Sequence, residues 1–110
     1  MRRVRLGTVE VSRIVMGGNP FSGFSHQGPE RDREMIHYYT SERIMDALAK
    51  AEAAGIDTFF GRSDRHVTRM LTEYWDRGGK IQWFAQGSPD MPAQNVQTFD
   101  HVVEGVAVAR

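Results

Sequence analysis

Positions 62 to 66 read Arg-Ser-Asp-Arg-His, which sets a guanidinium, a carboxylate and an imidazole close together in the chain. A carboxylate that fixes an imidazole's tautomer makes an acid/base pair, so Asp64 and His66 are the candidate catalytic residues. Arg62 can grip a phosphate or carboxylate through two parallel N–H donors. Asp64 is also a natural N-cap for a helix starting near Arg65, and the preference of Asp for that place favours capping, with His66 then a first-turn surface residue.

Further polar side chains follow other β-prone runs. Asn19 and His26 come after the first and Gln86 after the third, and with Arg62 they are the candidate substrate-binding residues. Asn19 precedes Pro20 in a glycine-flanked turn, where its amide either meets a ligand or simply forms the turn. His26, His66 and Asp64 are donors that suit zinc or manganese, but no local ligand spacing supports a site and no metal is expected. His37 and His101 lack an H-x-x-x-H partner and are given no role.

The elements that must position these residues are legible in the apolar spacing. Val4 to Met16 reads as a hairpin turning at Gly7-Thr8, with Val11, Ile14, Val15 and Met16 as its more apolar arm. The glycines and proline of Gly17 to Gly23 then predict a loop, and the polar run Ser25 to Glu34 predicts a solvated surface excursion whose conformation its residues do not fix. Ile44, Met45, Ala47, Leu48, Ala51 and Ala54 recur at helical spacing, with Thr40 or Ser41 as N-cap and Gly55 ending the helix. Ile56 to Phe60 predicts a strand stopped by Gly61. Val67, Met70, Leu71, Tyr74 and Trp75 predict a helix that ends at Gly78-Gly79. Ile81 to Ala85 predicts a third strand, and Phe99, Val102, Val103 and Val106 a last helix. Phe59, Phe60, Trp75, Trp83 and Phe84, with Met35, Met45 and Met70, are expected in the core.

Strands alternating with helices predict βα units and a parallel sheet, hence an α/β fold. The expected organisation is a hairpin (about 4–16) followed by βα units at about 11–54, 56–77 and 81–110, an N-terminal fragment of a barrel. Eight such units need roughly 250 residues, so the barrel is expected to be incomplete. A dinucleotide-binding fold ranks lower, because the Gly17 to Gly23 stretch lacks G-x-G-x-x-G spacing and its proline removes an amide.

The 110 residues are 40% hydrophobic and 25% charged, as in an ordinary globular domain, and 14 basic residues balance 14 acidic ones. That balance disfavours nucleic acid and anionic membranes as partners. The absence of cysteine excludes disulfides and thiolate chemistry, and with no signal peptide or long apolar span a cytoplasmic location is expected.

The stretch VRLGTVEVSRIVMGGNPFSG resembles the opening of the aldo-keto reductases, in which a short hairpin precedes the first barrel strand. Residues Ala53 to Gly61, AAGIDTFFG, resemble that family's A-G-I-N-x-F-D-T-A segment. The resemblance implies a (β/α)8 barrel that binds NADPH and reduces carbonyls through an Asp, Tyr, Lys and His set. Residue by residue, Phe60 stands at the aspartate position, Arg65 near the tyrosine, and Ala85-Gln86 in place of the Thr-Lys pair. A one-residue shift would bring Asp57 or Asp64 nearer the aspartate slot. Three functions are therefore expected in turn: an oxidoreductase by fold with its usual catalytic residues missing; a non-redox isomerase, lyase or hydrolase acting on a small anionic substrate; or an inactive truncated barrel that self-associates to cover an open sheet edge.

Overall fold

In the computed structural model, residues 1–86 are described. The helix expected around Phe99 to Val106 lies outside them. Strands β1 (Arg3–Leu6) and β2 (Val9–Ser12) form an antiparallel hairpin pairing Leu6 with Val9 across Gly7-Thr8, and Gly7 takes a φ of 62° that glycine tolerates at no steric cost. The pairing ends earlier than the apolar run suggested. The Ser12 hydroxyl donates to the Ile14 carbonyl at 2.6 Å, a local bond that turns the chain out of the ladder. Ile14 and Val15 are exposed, and Met16–Gly17 forms a separate short strand, β3.

A helical turn interrupts the expected loop, and a helix without a buried residue begins within the surface excursion. Asn19–Ser22 is a single turn, α1, because Pro20 sits in the first turn, where its missing N–H costs nothing. Pro29–Tyr38 forms α2, with Pro29 again in the first turn and Glu30 and Asp32 near the positive end of the helix. No residue of α2 is buried, so it carries no apolar stripe to read.

Helix α3 (Ser41–Ala53) follows the expected spacing, with Thr40 as N-cap. Its end is a Schellman motif: the Ile56 amide donates to the Ala51 carbonyl and the Gly55 amide to Glu52, with Gly55 at φ 90°. That motif consumes Ile56, so strand β4 runs Thr58–Arg62, two residues later than expected, and passes through Gly61. Helix α4 (Arg65–Asp76) ends in a second Schellman motif, from Gly78 and Gly79 to Trp75 and Tyr74, and β5 spans Gln82–Gln86.

The fold is α/β. Strands β3, β4 and β5 lie side by side in that order, all parallel, with helices in both crossovers. One sheet face packs Phe59 and Trp83 against Phe21, Ile44, Met45 and Leu48, and against Val67, Leu71, Tyr74 and Trp75 of α4. On the opposite face are Phe60 and its register partner Phe84. Phe60 is 48% exposed and Phe84 half-buried, so neither joins the core as Phe59, Trp75 and Trp83 do. Met45 is buried, whereas Met35 and Met70 are only partly so. Among the described residues no helix is long and apolar enough to cross a membrane.

The hairpin docks on the N-terminal end of this sheet. Ser12 N–H donates to Asp57 Oδ1 at 2.9 Å, and Asp57 N–H returns a bond to Ser12 Oγ at 3.1 Å. Arg3 pairs with the same carboxylate, and Gln82 Nε2 donates to the Glu10 carbonyl at 3.0 Å.

Candidate functional site

The opposite, C-terminal ends of the strands gather the polar residues singled out above, which is where ligand sites form in parallel sheets. Arg62 closes β4 and is 8% exposed; Ser63 and Asp64 make the turn; His66 stands in the first turn of α4. Ser63 ties the two strand ends together, its N–H and Oγ reaching the Gln86 carbonyl at 3.1 and 3.0 Å.

Arg62, Asp64 and His66 line one cleft of about 330 Å³, whose remaining wall is Phe21 and Ser22 of α1, Phe24, Ile36 of α2 and Tyr39. The volume is at the small end of the ~300–1,000 Å³ usual for small-molecule sites. Phe24 lays its ring against the guanidinium of Arg62, 4.4 Å from the ring centre, and Asp64 Oδ2 lies 3.5 Å from Arg62 Nε. Phe24 therefore shields a buried cation from water, which strengthens its interaction with any oxyanion nearby.

Asp64 and His66 share the cleft, and of the two readings of Asp64 the favoured one, the helix cap, is the one formed. Asp64 Oδ1 accepts from the Val67 amide at 2.9 Å, so the carboxylate caps α4. The His66 imidazole instead meets the Phe21 carbonyl through Nε2 at 3.1 Å. A carbonyl only accepts, so Nε2 donates and, in the neutral ring, Nδ1 holds the lone pair. This carbonyl, not the carboxylate, selects the tautomer.

The other candidates sit apart from the cleft. Asn19 Nδ2 lies 3.4 Å from His26 Nε2, and both side chains are exposed. His26 adopts a φ of 59°, a left-handed conformation that a non-glycine residue rarely takes. A local latch holds it there. Ser25 gives both its N–H (2.8 Å) and its hydroxyl (2.7 Å) to Asp32 Oδ1, and these bonds lower the Asp32 pKa below the ordinary carboxylate value. The Gln86 side chain is exposed at the end of β5. Among the described residues no group of three or more His, Asp or Glu side chains is placed to hold a metal ion, so His26, His66 and Asp64 do not converge.

Asp57 does not reach the cleft either: it lies at the other end of β4, bonded to Ser12, Thr58 and Arg3. The apolar cleft wall was not anticipated from the sequence. Its signal is nonetheless there, in the large apolar and aromatic residues Phe21, Phe24, Ile36 and Tyr39 that flank the polar run from Ser25 to Glu34. Comparison with protein-family models, with curated proteins and with solved structures gave no match for the chain.

Proposed function

We propose that the chain carries the first βα units of an aldo-keto reductase-like barrel and that its cleft binds a small anionic molecule for non-redox, proton-transfer chemistry. The barrel reading is supported by the hairpin at the N-terminal end of three parallel strands and by the polar residues at their C-terminal end. The observation that carries the function is the convergence of Arg62, Asp64 and His66 on one cleft. In this reading Arg62 holds the anion, Asp64 keeps the start of α4 in place, and His66 Nδ1 takes the proton.

Hydride transfer from NADPH is not supported, because reduction of a carbonyl needs a proton donor beside it. Phe60 offers a phenyl ring and Gln86 a neutral amide at the positions where the family's aspartate and lysine would stand, and Asp57 is committed to the hairpin. The residues present therefore do not fit that cofactor's chemistry.

The test is a titration of the full chain with acetate and with inorganic phosphate, followed through backbone amide NMR shifts. Saturable shifts are expected at Phe24, Arg62 and Val67 and are expected to weaken in His66→Asn. Their absence with both anions overturns the site. A saturable response to NADPH, with none to the anions, would restore the redox reading.

A second reading, self-association, is favoured by the half-exposed Phe60 beside Phe84 and by Val4, Leu6 and Val9 on the hairpin.

A further inference from the structure

The geometry points to a narrower ligand class for this cleft: a small anion that carries an aromatic or branched apolar body, such as an arylacetate or an aryl phosphate. This inference rests on the anion-binding reading above and adds what the anion is attached to. The charged and imidazole side chains of the cleft lining, Arg62, Asp64 and His66, all come from the end of β4 and the start of α4. Phe21, Phe24, Ile36 and Tyr39 make up most of the rest, with hydroxyls from Ser22 and Tyr39.

The apolar wall is fixed rather than accidental. Phe21 is buried, stacked on Phe59 at 6.2 Å and met edge-on by Tyr39 at 5.0 Å. Gly23 takes a φ of 75° and lets Ile36 approach so closely that a Cβ there would stand 2.6 Å from the Ile36 Cδ1 atom. The Ser25–Asp32 latch ties the same turn to α2. Ile36 is nevertheless 55% exposed, an isoleucine held over the cleft by neighbouring structure with much of its surface left to water. A ligand with an apolar body removes that surface from water, whereas a bare anion does not. Phe24 contributes in two ways, holding a ring face against the guanidinium and lining the cleft, so head group and body are read by adjacent residues.

The body therefore sets affinity and the head sets orientation. Amide NMR titrations of the full chain with acetate, phenylacetate and 2-phenylethanol test this. Phenylacetate is expected to bind at least tenfold more tightly than acetate, about 1.4 kcal/mol. In Ile36→Ser, a change at an exposed position, and in Phe24→Leu, which keeps bulk, that ratio is expected to fall toward unity. Equal affinities for acetate and phenylacetate, or a ratio unmoved by both variants, overturn this inference and leave the anion site standing. If 2-phenylethanol binds as well as phenylacetate, or if no probe shifts Phe24, Arg62 or Val67, the anion site falls and this inference with it.

Discussion

The Asp57 carboxylate collects donors from Ser12 and Thr58 and pairs with Arg3. Partial burial alone would raise its pKa, but these bonds outweigh burial and hold it at about 2, below the ordinary 3.8. A carboxyl group with a depressed folded-state pKa stabilises the protein above its unfolded pKa, and that contribution is lost as the pH falls from about 4 through 2. Asp57→Asn should therefore lower stability at neutral pH by on the order of 1 kcal/mol, allowing for the part-exposed pair, and flatten the acid limb of a urea-denaturation series over that window. At the other end of β4, Asp64→Ala removes the α4 cap and should cost about 1 kcal/mol, whereas Asp64→Asn keeps an acceptor for the Val67 amide and should cost less. Thermal melts of the two variants separate capping from the ion pair with Arg62, because a charge effect would penalise both alike.

At the level of elements, the Phe59 ring lies over two glycines. A Cβ on Gly61 would stand 2.3 Å from that ring and one on Gly18 2.6 Å. With Phe59 buried and stacked on Phe21, the ring has no room to yield, so Gly61→Ala should destabilise by about 1–3 kcal/mol, read as a lowered denaturation midpoint. This close packing is also why β4 runs through Gly61, a residue that in sequence looks like a stop. Helices α3 and α4 were legible because each buries a stripe at helical spacing and ends in glycines that the Schellman motifs require. Helix α2 was not, since periodicity records burial and this helix buries nothing. Asp64, Arg62 and His66 were legible as a site through their place after a strand. The capping role of Asp64 was legible too, but the partner of His66 was not, because the carbonyl that fixes its tautomer comes from Phe21, 45 residues away, and main-chain carbonyls leave no mark in a sequence.

For the molecule as a whole, the sheet separates two kinds of work. Its N-terminal end is closed by the docked hairpin and its C-terminal end carries the cleft. One face is packed by helices, while the other presents Phe60 and Phe84. Burying such a face against a second copy would stabilise both chains, so light scattering is expected to show concentration-dependent dimers, with Phe60→Asp shifting the equilibrium to monomer. A wild-type chain that remains monomeric at high concentration would remove the self-association reading. The hairpin's docking also bears on the order of assembly. Its strands join neighbours in sequence and can pair within ~1–10 μs, but the reciprocal Ser12–Asp57 bonds join residues 45 apart, across the whole first crossover. Chain closure over that distance is rewarded only once the crossover helices have packed, so the hairpin is expected to form early and dock late, which φ-values near zero for substitutions at Ser12 would show.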